Sequence, residues 1–534
     1  MSVRNPTVGD LVLGRLLRAA AERHGGRTLL QFGALTRSFD DVDSVTNSVA
    51  NGLAALGVER GSKVAIMAPN GPAFIDAWLG AIKLGAIYVP INTDYRGDIL
   101  RYQLGKADIT HVVIDPTFLQ RLDAVLNGVP KLRHVVLTAS DPGRPRLLNG
   151  DVEISALADL IQAPDRAPAV DIGASDPMAI SFTSGTTGPS KGVLASHSHV
   201  ITFAMDWIRA TGFKERQSIY TCMPLFHAVA AWLGVVPAVI MGGRIAIVPR
   251  FSASTFWDDV RRYQSDVAHG IFSMVPILLK QPPRPDDADQ PARVFYFAQQ
   301  NDAFEKRFNC RIVEVYGATE TGIVTATPGG EAPRKGSCGK PNLDTFDVML
   351  ANEGDEPVGV GEVGEILVRP RRPFAMLSEY FNMPEATVAA FRNLWFHTGD
   401  NARRDADGYF YFVDRKKDSI RRRGENISSS EVEAVLNRHP AVLESAAIAV
   451  PSELGEDEVK AVIVLRGGEH ASPDELWAFC EKHMPRFWVP RYLELRNAMP
   501  KTPSQKIQKY LLRKGEDQGE VYDRNAAGPR LPER

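Results

Sequence analysis

The chain has 534 residues, 44% hydrophobic and 24% charged, which is ordinary for a globular protein with more than one domain. Its 62 lysines and arginines are balanced by 64 aspartates and glutamates, and a net charge of −2 argues against a protein built around a nucleic-acid surface. The four cysteines are far apart and form no CxxC pair, so they indicate neither a disulfide framework nor a zinc site.

Targeting and membrane signals are weak. The first ten residues lack the apolar core of a signal peptide. The longest apolar run, residues 228–241, contains a proline and is shorter than the roughly 20 residues that a membrane span needs. We therefore expect no membrane span and a location in a reducing cytoplasm.

Helices and strands alternate over the first 320 residues. Apolar residues three or four apart, such as Val42, Val45 and Val49, indicate a helix with one buried face. Helices are predicted over residues 39–58, 72–85, 197–210 and 253–264. Strands are predicted over residues 63–69, 86–91, 110–115, 177–182, 244–250, 267–276 and 311–317. This alternation predicts an α/β fold with mostly parallel sheets and helices on both faces.

The pattern changes after about residue 335. Hairpins are predicted up to residue 415, with Asp407-Gly408 as one turn, and they form a hairpin-rich subdomain. A basic stretch follows, and we place the boundary there between an N-terminal domain (1–414) and a small, mobile α+β domain (415–514). One helix of the small domain is predicted to be capped by Ser472. The tail (515–534) is predicted to be disordered.

The stretch "SFTSGTTGPSKG" (181–192) follows a predicted strand and precedes a predicted helix. Glycines allow backbone N–H groups to face a ligand closely, while hydroxyls add donors and a lysine adds charge, as phosphate-binding loops require. The order is not that of a Walker loop, because Ser190 replaces the second glycine of that pattern and Gly192 replaces the Ser or Thr that should follow Lys191. The alternative is a flexible surface loop without a ligand.

Six motifs in order resemble the adenylate-forming superfamily of acyl-CoA synthetases, adenylation domains and luciferases. They are "TSGTTGPSKG", "MPLFHA", "YGATETG", "WFHTGD", "YFVDRKKDSIRRRGENISSSEVE" and "PKTPSQK". The similarity covers residues 10–514 and is nearest to the crotonobetaine/carnitine–CoA ligase branch. It implies that a carboxylate attacks the α-phosphorus of ATP, and that a thiol, usually of coenzyme A, then displaces AMP.

The resemblance assigns roles in nucleotide binding. Glu320 is expected to bind Mg²⁺, and Asp400 to bind the ribose together with Arg415. Thr319 is expected to bind the α-phosphate, while Tyr316, followed by Gly317, stacks on the adenine. The β- and γ-phosphates are expected to bind Thr183, Ser184, Gly185, Thr186, Thr187, Gly188 and Lys191.

Two departures from the family pattern accompany the catalytic assignments. Lys506 is expected to stabilise the transition state of adenylation, although Gln505 stands where the family has glycine. Residues 295–302 lack the usual Gly-Ala-Pro-like turn, so adenine contacts at 297–300 stay unassigned.

The thiol step implies a rotation of the small domain about a hinge at Lys417. Gly424 is expected to line the coenzyme A tunnel, and His227 to lie between that tunnel and the acyl pocket. Of the six basic residues at 415–417 and 421–423, Arg415 and Lys417 are expected to be functional. The others are expected to face water or to attract coenzyme A phosphates.

The acyl pocket is expected to be apolar, which favours a medium or bulky hydrophobic acid over carnitine. Its expected walls are His227, Val229, Trp232, Phe297 and Gly317. Two alternatives stay open: an enzyme that loads a separate carrier protein, and a relative that binds ATP without chemistry. Retention of the charged motif residues speaks against the second. The sequence also leaves a homodimer open.

Overall fold

A computed structural model describes most of the chain. The described residues are 11–139, 152–183, 190–272, 274–296, 300–328, 331, 333–415, 419–452, 455–500, 507, 509–515 and 519–526. They divide into two compact units. The first comprises residues up to 93, 103–182 and 192–414, and the second comprises residues 94–102, 183–191 and the chain from 415 onward.

The strands of the described residues are, in chain order, β1 (Thr28–Phe32), β2 (Leu35–Ser38), β3 (Lys63–Met67), β4 (Ile87–Pro90), β5 (His111–Ile114), β6 (His134–Leu137), β7 (Glu153–Ala156), β8 (Pro177–Thr183), β9 (Lys191–Ser196), β10 (Ser218–Thr221), β11 (Arg244–Ile247), β12 (Val267–His269), β13 (Val294–Tyr296), β14 (Arg311–Val313), β15 (Val315–Ala318), β16 (Gly322–Ala326), β17 (Lys340–Pro341), β18 (Phe346–Ala351), β19 (Val363–Pro370), β20 (Glu379–Tyr380), β21 (Phe396–Arg404), β22 (Phe410–Arg415), β23 (Ser419–Arg422), β24 (Glu425–Ser428), β25 (Val442–Pro451), β26 (Asp457–Leu465), β27 (Tyr492–Arg496) and β28 (Glu520–Asp523).

The helices of the same residues are α1 (Leu13–His24), α2 (Phe39–Ala55), α3 (Pro72–Lys83), α4 (Gly97–Lys106), α5 (Leu119–Asp123), α6 (Leu157–Leu160), α7 (His197–Thr211), α8 (Ala228–Ala230), α9 (Val236–Ile240), α10 (Phe256–Arg262), α11 (Met274–Leu279), α12 (Asp302–Phe308), α13 (Pro384–Ala390), α14 (Ser429–Leu436), α15 (Pro473–His483) and α16 (Lys509–Lys514). A π-helical turn, Ala231–Val235, joins α8 to α9. No helix in this set is long and apolar enough to cross a membrane.

The first unit contains an eight-stranded sheet in the order β20-β9-β8-β4-β3-β5-β6-β7. Its central strands β3, β4, β5 and β6 pair in parallel and are almost completely buried, as expected when helices cover both faces. Helices α2 and α3 pack closely because Gly80 has no side chain. A Cβ there would lie 2.7 Å from Cγ1 of Val49.

A second sheet of the first unit has the order β14-β13-β12-β10-β11-β1-β2. All its pairs are parallel except the β1–β2 hairpin. One continuous apolar core serves both sheets and includes Trp78, Trp207 and Trp232. The prediction of mostly parallel sheets is therefore confirmed.

The predicted hairpin-rich region forms the sheet β18-β19-β21-β22, and its strand β17 completes a second small sheet with β15 and β16, which precede the region. Strands β18 and β19 pair in antiparallel register from Phe346–Pro370 to Ala351–Glu365. The predicted turn at Asp407-Gly408 is present, and Gly408 has a φ of +85°. These sheets enclose a core of their own that contains Phe346, Ile366 and Phe396.

The second unit is built on the sheet β25-β26-β27-β28 with helices α14 and α15. Ser472 caps α15 as predicted, because its hydroxyl accepts a hydrogen bond from the backbone of Glu475 at 3.3 Å. Residues 94–102 belong to this unit, which the sequence did not suggest. Ile99 joins the core of the unit, and the ring of Tyr95 stacks on Phe487 with centroids 6.4 Å apart.

Several expectations were wrong. The strand predicted over 267–276 ends at His269, and Met274 starts a helix. The strand predicted over 311–317 is divided at Glu314, so that β14 and β15 belong to different sheets. A strand, β9, precedes α7 where the sequence suggested only loop and helix.

Two further expectations were wrong: that the whole tail is disordered, and that Arg422 faces water or attracts coenzyme A phosphates. Glu520–Asp523 pairs with β27, and Asp523 forms an ion pair with Arg491 at 3.1 Å. Arg422 was expected to face water, but it is buried. Its guanidinium pairs with Glu458 at 2.6 Å and donates to the carbonyl of Val489 at 2.9 Å.

Three buried histidines of the first unit make its stability sensitive to acid. Burial lowers the pKa of His197 to about 4, and of His199 and His269 to about 3. The folded state keeps all three neutral, so its stability is complete above the unfolded pKa of about 6.5 and is lost as the pH falls below it. Each pKa unit corresponds to about 1.4 kcal/mol. We therefore expect the three histidines together to lower the free energy of unfolding by about 4 kcal/mol between pH 7.5 and pH 5.5.

Denaturant unfolding at the two pH values measures this loss. His199→Phe should reduce the difference by about 1.4 kcal/mol, because one titrating group is removed and the ring keeps its stacking on Phe203. An unchanged difference in that variant would contradict the histidine explanation.

Candidate active site

Two predicted nucleotide residues, 84 positions apart in sequence, meet in the first unit. Tyr316 lies on β15 and Asp400 on β21, and the tyrosine hydroxyl donates to Oδ2 of Asp400 at 2.7 Å. Asp400 is buried, whereas the ring of Phe412 is half exposed and stacks beside Tyr316 with centroids 6.3 Å apart at 28°. Two aromatic faces and a carboxylate are therefore side by side, which suits a planar base attached to a diol.

Gly317 follows Tyr316 at a register shift between β15 and β16. A Cβ at this position would lie 2.2 Å from the carbonyl oxygen of Gly322. The sequence suggested Gly317 as a wall of the acyl pocket. The structure also explains why this position is glycine, because the backbones of β15 and β16 approach too closely for a side chain. The turn that carries Glu320 follows this close approach.

Thr319 and Glu320 lie in the turn between β15 and β16, and both are half-buried. Tyr380 Oη donates to Oε1 of Glu320 at 3.1 Å, and the backbone N–H of Leu377 donates to the carbonyl of Glu320 at 2.8 Å. Burial and the adjacent Glu320 carboxylate raise the pKa of Tyr380, so its hydroxyl stays protonated as a donor. The carboxylate expected to bind Mg²⁺ is thus oriented by a neighbouring side chain.

The motif "MPLFHA" (223–228) lies between β10 and α8, and its half-buried His227 directly precedes α8. The buried side chain of Asn70, which follows β3, fixes this loop. Its amide donates to the carbonyls of Met223 and Val248 at 2.9 and 3.0 Å, and its oxygen accepts from the backbone N–H of Leu225 at 2.8 Å. One side chain therefore connects the carboxyl ends of three strands.

The residues after His227 differ in their exposure. Val229 is half-buried, whereas Trp232 is 1% exposed and packs into the core. The indole N–H of Trp232 donates to the hydroxyl of Tyr88, and the rings of His199 and Phe203 meet it edge-on. The one polar atom of Trp232 is therefore already used within the core.

The second unit contains both ends of the predicted phosphate loop. Thr183 ends β8, and Lys191 begins β9. Between them, Ser190 is buried, and its N–H and hydroxyl both donate to Oε1 of Glu431 on α14, each at 2.9 Å. Burial raises the pKa of Glu431 to about 7, against the opposing effect of the two Ser190 hydrogen bonds.

Gly424 lies in the two-residue turn between β23 and β24, where Arg422 pairs with Glu425. Its φ is +80° and that of Arg423 is +53°. The N–H of Gly424 donates to Oε2 of Glu456 at 2.9 Å. The turn therefore requires glycine for its backbone conformation, in addition to the predicted role beside coenzyme A.

The backbone of Arg415 ends β22, the strand that carries Phe412. Other predicted site residues lie outside the described part of the chain: Ser184, Gly185, Thr186, Thr187, Gly188, Phe297, Lys417 and Lys506. Within the described part, no group of three or more His, Cys, Asp or Glu residues is arranged to hold a metal ion. The binding of a metal ion by Glu320 therefore stays a prediction.

Sequence reasoning missed Asn70, Tyr380 and Phe412, which contact the loop before His227, Glu320 and Tyr316. Phe412 was visible within the quoted motif "YFVDRKKD", directly before Val413 and Asp414. Asn70 and Tyr380 carry no local signal, because their partners are 155 and 60 residues away.

Comparison with known proteins gives the family. Residues 17–381 match the AMP-binding enzyme family, and residues 431–506 match the AMP-binding enzyme C-terminal domain. A crotonobetaine/carnitine–CoA ligase of Salmonella choleraesuis is 33% identical over 522 residues, covering 93% of this chain and 99% of the relative. The ligase of the same name from Citrobacter koseri is 33% identical over 526 residues, with the same coverage.

Solved structures agree in fold. The o-succinylbenzoate CoA synthetase of Bacillus subtilis has a TM-score of 0.82 at 23% identity, covering 95% of this chain and 99% of its own. A fatty acyl CoA synthetase of Mycobacterium tuberculosis has a TM-score of 0.68 at 27% identity, covering 96% and 99%. The chain belongs to the AMP-binding, adenylate-forming family. It is an acyl-CoA synthetase, an acid–thiol ligase that uses ATP and coenzyme A.

Asn70→Ala should weaken both fold and activity. The substitution leaves one N–H and two carbonyls without their partner, at a cost of about 1–3 kcal/mol. It also loosens the loop that ends at His227, so acyl-CoA formation should fall at least about tenfold. Thermal unfolding and steady-state thioester formation measure the two effects.

Asn352→Ala is the matched control. Asn352 also bonds to the backbone, since it accepts from the N–H groups of Gly354 and Glu356 at 2.9 and 3.1 Å, but it is exposed in a hairpin loop. The activity of the Asn352→Ala variant should stay at the wild-type level. Equal activity losses in both variants would contradict a specific role for Asn70.

Proposed function

We propose that the chain catalyses two steps at one site. The carboxylate of an acid attacks the α-phosphorus of ATP, the bond to the β-phosphate oxygen breaks, and acyl-AMP and pyrophosphate form. The thiol of coenzyme A, after loss of its proton, then attacks the acyl carbon and AMP leaves. The observation that carries the proposal is the contact of Tyr316 with Asp400 beside Phe412.

The nucleotide fits the residues that meet in the first unit. Tyr316 and Phe412 would hold the adenine, and Asp400 would accept hydrogen bonds from the ribose hydroxyls, with Arg415 beside it by family resemblance. Thr183 to Gly188 and Lys191 would bind the β- and γ-phosphates. Thr319 would bind the α-phosphate.

Mg²⁺ is the natural counter-ion of a triphosphate and prefers carboxylate, phosphate and water oxygens. Glu320 offers such an oxygen, and the hydrogen bond from Tyr380 holds its carboxylate in one orientation. The remaining ligands would be phosphate and water oxygens. The ion would neutralise charge on the triphosphate.

Lys506 would stabilise the charge that develops during adenylation, and Lys417 would be the hinge between the two steps. Gly424 would line the path of the pantetheine, and His227 would separate this path from the acyl group. We also keep a carrier protein as an alternative thiol donor, with coenzyme A favoured by the relatives' names.

For the acid, we propose a medium or bulky apolar substrate. Val229 is half-buried, and the indole N–H of Trp232 is already bound to Tyr88. His199 and His269 are neutral at pH 7, because burial lowers the pKa of each to about 3. The relatives are named for crotonobetaine and carnitine, so a screen of acids must include both.

Pyrophosphate release across a panel of acids tests the function, and Lys506→Ala tests its mechanism. Loss of one transition-state contact should lower adenylation by about 10²–10³ or more. Thioester formation from supplied acyl-adenylate should stay near the wild-type rate. Equal losses in both steps would show that Lys506 has a structural role, and no acid-dependent pyrophosphate release would refute the function.

The hinge is tested by two substitutions at one position. Lys417→Pro fixes φ near −65° and should block one domain arrangement. Single-turnover pyrophosphate release should stay within about tenfold, a barrier change of roughly 1.4 kcal/mol, while thioester formation from acyl-adenylate falls by orders of magnitude. Lys417→Ala should leave both steps nearly intact. If alanine were as damaging as proline, the lysine charge and not the backbone would matter.

A further inference from the structure

The strand that carries Asp400 contains an irregular bulge at this residue. On β19 and β21, Glu365 is opposite Asn401 and Leu367 is opposite His397. Three residues of β21, Thr398 to Asp400, therefore face the single residue Ile366. Bulges beside active sites bend a strand and redirect a side chain.

The bulge leaves backbone groups that the ladder cannot pair, and two side chains satisfy them. Oε1 of Glu365 accepts from the N–H of Gly399 at 3.0 Å. The hydroxyl of Thr398 donates to the carbonyl of Ile366 at 2.8 Å and accepts from the N–H of Asp400 at 3.1 Å. Buried backbone groups without partners are costly, so these contacts hold the bulge in one form.

A histidine fixes the Glu365 carboxylate in turn. Glu365 is buried, and its Oε2 accepts from Nδ1 of His397 at 3.2 Å. On the other side of the ring, Nε2 of His397 lies 3.8 Å from Oδ2 of Asp355. Asp355 also accepts from Nε of Arg392 at 3.0 Å. The hydrogen bond from the His397 ring to Glu365 and the Arg392 guanidinium beside Asp355 allow an acidic side chain to remain buried behind the site.

We propose that Glu365 and Thr398, supported by His397, are positioning residues that aim Asp400 at the nucleotide ribose. The proposal rests on the proposed function in one respect, the binding of ribose hydroxyls by Asp400. None of the three side chains needs to touch the nucleotide. Their effect is selectivity for a ribose, because a carboxylate displaced by about 1 Å loses hydrogen bonds that require defined geometry.

Calorimetric binding of AMP and of 2′,3′-dideoxyAMP to the full-length protein tests this without any acyl substrate. Wild type should prefer AMP by at least about tenfold, since hydrogen bonds to a charged group are strong. Asp400→Ala should bring the two dissociation constants within about threefold of each other. Glu365→Ala should do the same, although Asp400 is still present. Glu365→Gln keeps an acceptor for Gly399 and should retain most of the preference.

Glu362→Ala is the matched control. Glu362 is an exposed glutamate of the same hairpin that accepts from the backbone N–H of Gly359 at 2.7 Å, and its removal should leave the ratio unchanged. If Glu365→Ala does not fold, Thr398→Val removes the second support with little change in shape and should lower the ratio as well.

The outcomes separate this proposal from the function. A Glu365→Ala protein that is less stable but keeps the wild-type ratio would overturn the positioning role, as would an equal loss in Glu362→Ala. Wild type that binds both nucleotides equally would overturn the role of Asp400 and, with it, this proposal. Wild type that discriminates normally but never releases pyrophosphate with any acid would refute the proposed function alone.

Discussion

The amide of Asn70 joins the two large sheets at the edge where the site is built. It lies just beyond β3 of one sheet and bonds to residues that directly follow β10 and β11 of the other. Parallel strands bring their carboxyl ends to one edge, where their loops need partners that the sheets do not supply. A buried amide with all these hydrogen bonds made can fix three loops at once. Without that restraint, the position of His227 would depend on loop packing alone.

A second principle of the site is that phenol hydroxyls orient its carboxylates. Tyr316 donates to Asp400, and Tyr380 donates to Glu320. Tyr316 and Asp400 come from different sheets, and Tyr380 of β20 reaches the turn between β15 and β16, so each hydrogen bond also links β-structures that are far apart in sequence. A carboxylate held by one neutral donor keeps its charge and most of its lone pairs for a ligand. An arginine paired with Glu320 in place of Tyr380 would neutralise the charge that attracts a cation.

The sequence predicted the parallel sheets, the hairpin region and most helices, because burial gives long apolar runs and the turns carry their usual residues. Motif resemblance also assigned both Tyr316 and Asp400 to nucleotide binding, and the structure places the two side chains in contact. The wrong predictions have identifiable physical causes. Residues 311–317 are apolar except for Arg311 and Glu314, so the division at Glu314 leaves no periodic signal. Arg422 lies in a basic run that looks solvated, and only its distant partner Glu458 explains its burial. Supports such as Asn70 and Glu365 could not be found, because hydrogen bonding to remote backbone has no signature in spacing.

One partly buried acid, Glu314, shows how the fold limits negative charge near the candidate nucleotide residues. Glu314 lies two residues before Tyr316, and burial raises its pKa to about 7, against the opposing hydrogen bond from the N–H of Gln300 at 3.2 Å. At neutral pH it is therefore protonated about half of the time. Asp400 has different surroundings, because it accepts the Tyr316 hydroxyl and lies in a bulge that turns it away from the ladder. One carboxylate is therefore held by a backbone N–H, and the other by a phenol hydroxyl and an irregular strand.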